Sequence, residues 1–170
     1  MNSSAVNQRE RYDEEWNEWK AEAAAFAGVR RYDKISSVVQ QLGAGNILDI
    51  GCGDGRLARA IRAKNLHAVI HGCDLSTTAL ARSEGLDRQY AVDLNYGGLP
   101  ESDESFDLLL ASEVVEHLIQ PDRVLAEFSR VLRQEGQVVR TIGLRQRFIR
   151  LRRLHFTLLS DTLLIVGRKP

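Results

Sequence analysis

The fold is decided by the stretch Ile47-Leu48-Asp49-Ile50-Gly51-Cys52-Gly53-Asp54-Gly55, which runs directly into Arg56-Leu57-Ala58-Arg59-Ala60-Ile61. The first half predicts a buried strand, the alternating glycines a tight loop, and the last six residues a helix. Glycine has no Cβ atom, so backbone N–H groups of such a loop can approach a ligand, and the positive end of the helix attracts electron-rich groups. The order strand, glycine loop, helix indicates a nucleotide-binding α/β unit, although the glycines alone could form only a tight turn.

Length and composition are those of a single globular domain. The chain has 170 residues, 44% hydrophobic and 27% charged, with 23 Lys+Arg and 23 Asp+Glu. The balanced charge therefore indicates no class of partner. Cys52 and Cys73 have no metal-type spacing and make no disulfide framework, and the polar first residues do not resemble a signal peptide. We therefore expect a reducing, cytoplasmic setting.

Positive charge is concentrated near the end of the sequence. Residues 136–170 hold eight Lys or Arg residues and one acidic residue, Asp161. Within them, 143–154 is predicted to form a short amphipathic helix that carries several arginines. This helix could pack on the sheet with a solvated basic face, bind an anionic acceptor or a nucleic acid, or contact a membrane peripherally. Nucleic acid is the least favoured partner, because Phe148 is the one aromatic residue for base stacking.

The first 42 residues predict two helices ahead of the first strand. We expect residues 1–8 to be disordered and residues 9–42 to form helices that break near Gly28. Aromatic residues recur there at spacings that share one helical face, namely Tyr12, Trp16, Trp19 and Phe26. They could pack on the domain, form a lid over a substrate, or do both.

Strand and helix patterns alternate from residue 46 onward. We expect strands at 46–50, 67–73, 89–92, 106–111 and 137–142, with helices between them and an antiparallel strand pair within 156–167. The helix that begins near Pro121 is expected to end at Gly136. This alternation predicts one domain over 1–170, built on a doubly wound, mainly parallel seven-stranded sheet with 46–142 as its core.

Polar residues stand where four of the predicted strands end. They are Asp49, Asp74, Asp93 and the pair Ser112 and Glu113. In a parallel sheet these ends meet at one edge, where ligands bind. Asp74 follows Asp49 by 25 residues, where a dinucleotide fold has its ribose-binding acid. Asp93 can accept a hydrogen bond from an exocyclic amine, and the Leu94 N–H can donate to a ring nitrogen.

Four segments, in this order, resemble the motifs of class I S-adenosylmethionine-dependent methyltransferases, in particular their small-molecule branch. Ile47–Gly55 is similar to the first motif, Cys73–Ser76 to the ribose motif, Ala91–Leu94 to the adenine motif, and Phe106–Leu118 to the fourth-strand motif. The resemblance implies a Rossmann-like methyltransferase fold with N-terminal helices. It also implies S-adenosyl-L-methionine as the cofactor and S-adenosyl-L-homocysteine as the product.

The same resemblance implies which residues contact the cofactor. The glycines would hold its methionine part with Asp49 near the ammonium group, Asp74 would bind the ribose, and Asp93 with Leu94 the adenine. The strand-four end would lie between the methionine part and the acceptor. The full predicted set is Asp49, Gly51, Cys52, Gly53, Gly55, Asp74, Leu75, Asp93, Leu94, Ser112 and Glu113.

Glu113, Glu116 and His117 form a second group, expected on one face of a helical turn. Neutral His117 could take a proton from an acceptor hydroxyl, with Glu113 as the second catalytic candidate. The three could also bind a divalent cation, as in some methyltransferases that modify RNA ends, or His117 could be a hydrogen-bonded residue without a catalytic role. Apart from His155, no second histidine ligand is evident, so we predict no metal.

Two departures from the family pattern concern the acceptor. Arg133-Gln134-Glu135-Gly136 replaces a frequent Lys-Pro-Gly-Gly turn, and residues 143–170 leave little chain for an acceptor pocket. We expect methyl transfer to a small or lipid-linked acceptor, which could be anionic, at a site that is open or completed by the N-terminal helices or a partner. Alternatives are a non-catalytic cofactor-binding or regulatory subunit, an aminopropyl-transferring enzyme and a metal-assisted RNA-end methyltransferase. The sequence indicates neither the acceptor nor the oligomeric state.

Overall fold

A computed structural model describes residues 3–18, 21–64, 67–142, 157–159 and 163–169. Two helices, α1 (Ser3–Glu18) and α2 (Ala21–Leu42), precede the sheet. The core then alternates in the order β1 (Asn46–Ile50), α3 (Arg56–Arg62), β2 (Val69–Asp74), α4 (Thr77–Leu80), β3 (Arg88–Ala91), β4 (Phe106–Ser112), a 3-10 turn (Val115–His117), α5 (Pro121–Val131) and β5 (Leu132–Ile142). Strands β6 (Thr157–Leu159) and β7 (Leu163–Arg168) follow.

The seven described strands form one sheet in the order β3-β2-β1-β4-β5-β7-β6. Strands β1 to β5 pair in parallel, whereas β7 is antiparallel to both β5 and β6. The chain winds outward in opposite directions from β1 and β4, so the topological switch point lies between these two strands. The predicted doubly wound, mainly parallel seven-stranded fold is confirmed.

Apolar side chains of the central strands build one layer on each face of the sheet, because successive residues of a strand point in opposite directions. Ile47 packs with Ile35 of α2 and with α3 on one face. Leu48 and Leu109 pack with Phe128 of α5 on the other. The helices therefore cover both faces, and the carboxyl edge of the strands stays available for a site.

The N-terminal helices differ from the expectation in two ways. Residues 3–8, expected to be disordered, begin α1, because the segment 3–18 contains neither glycine nor proline to interrupt a helix. The break expected near Gly28 is wrong, since Gly28 lies inside α2 and the chain passes from α1 to α2 after Glu18. A glycine inside a helix costs only about 1 kcal/mol relative to alanine, which the alanine-rich run 21–27 tolerates.

The start of β5 is the main difference within the sheet. The sequence predicts that Gly136 ends α5, but α5 ends at Val131 and β5 begins at Leu132. The pairing of β4 with β5 shifts register just after Leu132, so β5 carries a bulge. Gly136 lies at this irregularity, where a Cβ atom would come within 2.8 Å of the Arg133 carbonyl oxygen. The glycine therefore marks a bulge instead of a helix end.

The predicted terminal strand pair is confirmed, and Leu158 of β6 lies opposite Ile165 of β7. The basic segment 143–154 lies outside the described residues. Among the helices that the structure describes, none combines the length and the apolar composition that crossing a membrane requires.

Candidate functional site

One cavity lies where the carboxyl ends of the parallel strands meet. Its empty volume is about 750 Å³, and part of that volume is open to solvent. The loops after β1, β2, β3 and β4 form its walls together with α1. The predicted site residues that line it are Gly51, Asp74, Leu75, Asp93, Leu94, Ser112, Glu113 and His117.

Four predicted cofactor residues lie outside the lining of this cavity, namely Asp49, Cys52, Gly53 and Gly55. The Cys52 side chain lies against β2, where a Cβ atom on Gly72 would come within 2.9 Å of the Cys52 Sγ atom. Burial raises the pKa of the Cys52 thiol, so the thiol is neutral. Gly55 has a φ of 77°, and a Cβ atom there would lie 2.2 Å from the Glu84 carbonyl oxygen. These positions shape the loop more directly than they contact a ligand.

The glycine loop uses its own backbone donors within the protein. The N–H groups of Gly51 and Cys52 donate to the Cys73 carbonyl oxygen at 2.8 and 3.0 Å, and the Gly55 N–H donates to the Cys52 carbonyl oxygen at 3.0 Å. Gly51 has a φ of 71°, and a Cβ atom on it would come within 2.4 Å of Val114. Val114 therefore occupies the space that a side chain at position 51 would need, and these three N–H groups are bonded within the protein instead of being the free donors that the sequence suggests.

Asp74 is held at the cavity wall by two backbone donors. Its Oδ2 atom accepts from the Gly53 N–H at 2.9 Å, and its Oδ1 atom accepts from the Ser76 N–H at 2.8 Å. Burial raises the pKa of Asp74 above its usual value. Each carboxylate oxygen can accept a second hydrogen bond, so Asp74 can still bind a pair of ligand hydroxyl groups.

Two more of the strand-end carboxylates have a buried oxygen that receives no hydrogen bond from the described residues, Asp49 Oδ2 and Asp93 Oδ2, and Glu116 Oε2 in the 3-10 turn is in the same situation. Asp49 is 2% exposed, and burial, followed by the charge of Asp74, raises the pKa of Asp49 to about 8. Asp93 lines the cavity, and its Oδ1 atom accepts from the Asn95 N–H at 3.0 Å. Because buried polar atoms are nearly always paired, the oxygen of Asp93, which lines the cavity, indicates a ligand that donates hydrogen bonds. Asp49 lies outside the lining and would act on a ligand through its charge.

The loop after β3 is fixed by two residues that the sequence analysis missed. Arg123 of α5 donates to the carbonyl oxygens of Leu94 and of Gly97, the latter at 3.1 Å. The Asn95 Oδ1 atom accepts from the Ile119 N–H at 2.7 Å. An arginine on a helix gives no sequence signal for such a role, because the same pattern is typical of a solvated helix face.

The expected helical face of Glu113, Glu116 and His117 is wrong. Only Val115–His117 form a 3-10 turn, and Glu113 precedes it with a φ of 58°. Glu113 Oε1 lies 3.7 Å from Arg31 Nη1 of α2. Burial raises the pKa of Glu116, and the charge of Glu113 raises it further. In the described part of the chain, no group of three or more His, Cys, Asp and Glu side chains could hold a metal ion.

Helix α1 forms one wall of the cavity through Gln8, Tyr12 and Trp16, which are spaced four residues apart. The Tyr12 ring meets the His117 ring edge to face, with 6.2 Å between centroids. The Trp16 ring lies against the glycine loop, 2.8 Å from where a Cβ atom of Gly53 would stand. The lid interpretation is thus supported for Tyr12 and Trp16, whereas the Trp19 and Phe26 side chains lie outside the description.

Comparison with known proteins adds a family match. The family described as a methyltransferase domain matches residues 48–140 of this chain. Methyltransferase GfsG of Streptomyces halstedii is 34% identical over 121 residues, which cover 67% of this chain and 43% of the relative. The ubiquinone biosynthesis O-methyltransferase of Brucella anthropi is 34% identical over 95 residues, which cover 53% of this chain and 38% of the relative. The chain thus spans less than half the length of these two relatives.

A solved structure of a SAM-dependent methyltransferase from Aquifex aeolicus is similar to this chain with a TM-score of 0.60. The likeness covers 79% of this chain and 88% of that one, at 13% sequence identity. At this identity it concerns the fold alone, and it agrees with the doubly wound sheet described above.

Proposed function

Because the chain belongs to the methyltransferase domain family, we propose that it transfers a methyl group from S-adenosylmethionine to a small-molecule acceptor. The observation that carries this proposal is the set of carboxylates at the carboxyl ends of the strands. Asp74 is held in place by two backbone N–H groups, and Asp49 and Asp93 each have a buried oxygen without a donor among the described residues.

The residues of the site fit the donor chemistry of S-adenosylmethionine. Asp74 would accept from the ribose hydroxyl groups, and Asp93 Oδ2 would accept from the adenine amine. Burial, followed by the negative charge of Asp74, disfavours ionisation of Asp49 beneath the glycine loop. The positive charge of the bound ligand would favour the ionised form of Asp49 and lower this pKa. Gly51 lines the cavity, where the methionine part would lie.

The bound sulfonium would supply an electrophilic methyl group, so the protein has to align the acceptor and, for a hydroxyl acceptor, remove a proton. His117 is our candidate for proton removal, because it lines the cavity and a neutral imidazole accepts protons near neutral pH. Glu113 also lines the cavity, but its ion pair with Arg31 favours a role in shaping the acceptor side over a role as base.

The rim of the cavity favours an acceptor with an apolar part. Tyr96 is 47% exposed and Ile119 is 66% exposed, and they directly follow two lining residues, Asn95 and Leu118. The hydrogen bond between Asn95 and the Ile119 N–H brings the two loops together. A hydroxylated ring with an apolar substituent would place the substituent against this rim. The name of the Brucella anthropi relative, an O-methyltransferase, is in keeping with a hydroxyl acceptor.

A labelled-methyl assay tests the proposal. Phenols and catechols that carry alkyl groups of increasing length would be incubated with the protein and S-adenosylmethionine labelled in the methyl group. We expect transfer to the hydroxyl, with a KM that falls as the alkyl group lengthens, because more apolar surface is buried at the rim. S-adenosylhomocysteine binding without transfer to any acceptor, including cell-extract fractions, would instead indicate a non-catalytic binding subunit.

The variant His117→Asn should lower kcat about 100-fold or more in this assay, because general-base catalysis contributes roughly 10²–10⁴-fold. Binding of S-adenosylhomocysteine should change little. The matched control is His67→Asn, since His67 is exposed and lies outside the lining of the cavity. Equal kcat values for the two variants would remove His117 from the mechanism.

A further inference from the structure

Helix α1 lies over the cavity, and its side chains at 8–18 have no share in the core. Of its side chains at 8–18, for which the structure describes burial, none is fully buried, whereas α2 contributes Ile35 and Val39 to the apolar layer. Elements with few buried apolar contacts open more easily than the rest of a domain. The polar contacts of α1 with α4 and its surroundings are therefore important for its position.

Asp13 makes most of these contacts. Its Oδ1 atom accepts from the Ser76 hydroxyl and from the Thr78 N–H at 2.9 Å, and its Oδ2 atom accepts from the Thr77 hydroxyl at 3.3 Å. The first N–H groups of a helix have no partner inside that helix. Asp13 thus caps the start of α4 from a different helix, beside Ser76, whose hydroxyl accepts from the Ala79 N–H at 3.1 Å.

The contacts of α1 also lead to Asp74. Ser76 is bonded to Asp13 through its hydroxyl and to Asp74 through its N–H. Another donor to Asp74 is the Gly53 N–H, and the Trp16 ring lies against Gly53. Two of the backbone groups that hold the Asp74 carboxylate are therefore in residues that α1 contacts.

Arg82 provides a second anchor at the other end of α1. Its guanidinium donates to the Trp16 carbonyl oxygen at 2.6 Å and to Asn17 Oδ1 at 3.3 Å. The last carbonyl groups of a helix lack partners inside the helix, and a cation is favourable there. With Asp13 and Arg82 in place, α1 is held near its middle and at its end.

We propose that Asp13 is a positioning residue that holds α1 closed over the cavity and, through Ser76, fixes the carboxylate of Asp74. The inference rests on the proposed function for the identity of the ligand. The contact between α1 and α4 itself does not depend on that identity.

The affinity for S-adenosylhomocysteine, measured by calorimetry, tests the link to Asp74. We expect Asp13→Ala to weaken binding about tenfold, because hydrogen bonds to a charged group are lost. Asp13→Asn keeps an oxygen that can accept from Ser76 and Thr78, so it should stay within about threefold of the wild type. Alanine is a better helix former than aspartate, so weaker α1 helicity cannot cause the loss. The control Glu14→Ala changes an exposed neighbour and should bind like the wild type.

A double-mutant cycle separates positioning from general stabilisation. If Asp13 acts through Asp74, the losses from Asp13→Ala and Asp74→Asn should not add, because the second change removes the group that the first one positions. Additive losses, or wild-type affinity in Asp13→Ala, would overturn the positioning role.

Hydrogen exchange of the protein without ligand tests the lid directly. Asp13→Ala should speed amide exchange across residues 3–18 and leave β1 and β4 unchanged, because α1 would detach while the core stays folded. Unchanged exchange in 3–18 would overturn the lid. This result is independent of ligand binding, so a wild type that failed to bind S-adenosylhomocysteine would contradict the proposed function alone.

Discussion

The carboxylates at the two ends of the parallel sheet differ in their hydrogen-bond and ion-pair partners. At the amino end, Asp107 accepts from the Gly45 N–H at 3.2 Å and the Asn46 N–H at 2.8 Å, and pairs with Arg133 at 2.7 Å. Burial acts to raise the pKa of Asp107, but the hydrogen bonds from Asn46 and Arg133 hold this pKa below its usual value.

At the carboxyl end, Asp49, Asp74 and Asp93 form no ion pair with any basic side chain that the structure describes. Burial raises the pKa of both Asp49 and Asp74. A buried carboxylate without a cation reduces stability unless a ligand compensates it. The comparison therefore separates acids that hold the fold together from acids that are arranged for a ligand.

A large effect on stability that does not depend on pH is expected at the amino end. Asp107→Ala should lower the free energy of unfolding by about 2 kcal/mol, because two backbone N–H groups and Arg133 lose their acceptor. Urea unfolding measures the change, and affinity for S-adenosylhomocysteine should stay the same.

Asp103→Ala is the matched control, because Asp103 pairs with Arg130 at the same 2.7 Å but its side chain is 74% exposed. Exposed ion pairs contribute little to the free energy of unfolding, so the loss caused by Asp103→Ala should be too small to resolve. Equal losses for the two variants would contradict the contrast between the ends of the sheet.

At the carboxyl end, a change in stability of about 1 kcal/mol for each pH unit is expected while the folded and unfolded states differ by one bound proton. The pKa of Asp49 is raised from 3.8 to about 8 by folding, so its favourable contribution is complete below pH 3.8 and is lost as the pH rises through 8. Asp49→Asn should therefore gain stability relative to the wild type between pH 5 and pH 8, as urea unfolding at both values would reveal. If the free energies of unfolding of Asp49→Asn and the wild type changed in parallel with pH, Asp49 would titrate like an exposed aspartate, which would contradict this prediction.

At Asp107 the sign is reversed. Its pKa is lowered in the folded protein, so its contribution is present above pH 3.8 and is lost only as the pH falls through the folded pKa. Asp107→Ala and the wild type should therefore differ by a constant amount between pH 5 and pH 8. The two ends of the sheet are thus distinguishable in the same experiment.

The fold could be predicted because its signals are local. Ile47–Gly55 carries the strand and the loop in consecutive residues, and Asp74 and Asp93 each stand at or just after the end of a strand. The sequence predicts a helix end at Gly136, because a glycine at a bulge and a glycine after a helix look alike in sequence. A glycine inside a helix is equally hard to distinguish from one at a helix break, as at Gly28.

The contacts that complete the site could not be predicted, because their partners are far apart in the chain. Asp13 lies 63 residues from Ser76, and Arg31 of α2 reaches Glu113 after β4. On the sequence, Asp13 is one of several charged residues on a polar helix. Nothing local distinguishes it from Glu14 until α1 and α4 are brought together.

The most direct measurement of the central claim is a calorimetric titration of the full chain with S-adenosylhomocysteine. The wild type should bind at one site, and Asp74→Ala should bind about 100-fold more weakly, because the carboxylate that would accept from both ribose hydroxyls is gone. Asp107→Ala should keep the wild-type affinity. No binding by the wild type, or equal affinities for the wild type and Asp74→Ala, would contradict the assignment of this cavity to the cofactor.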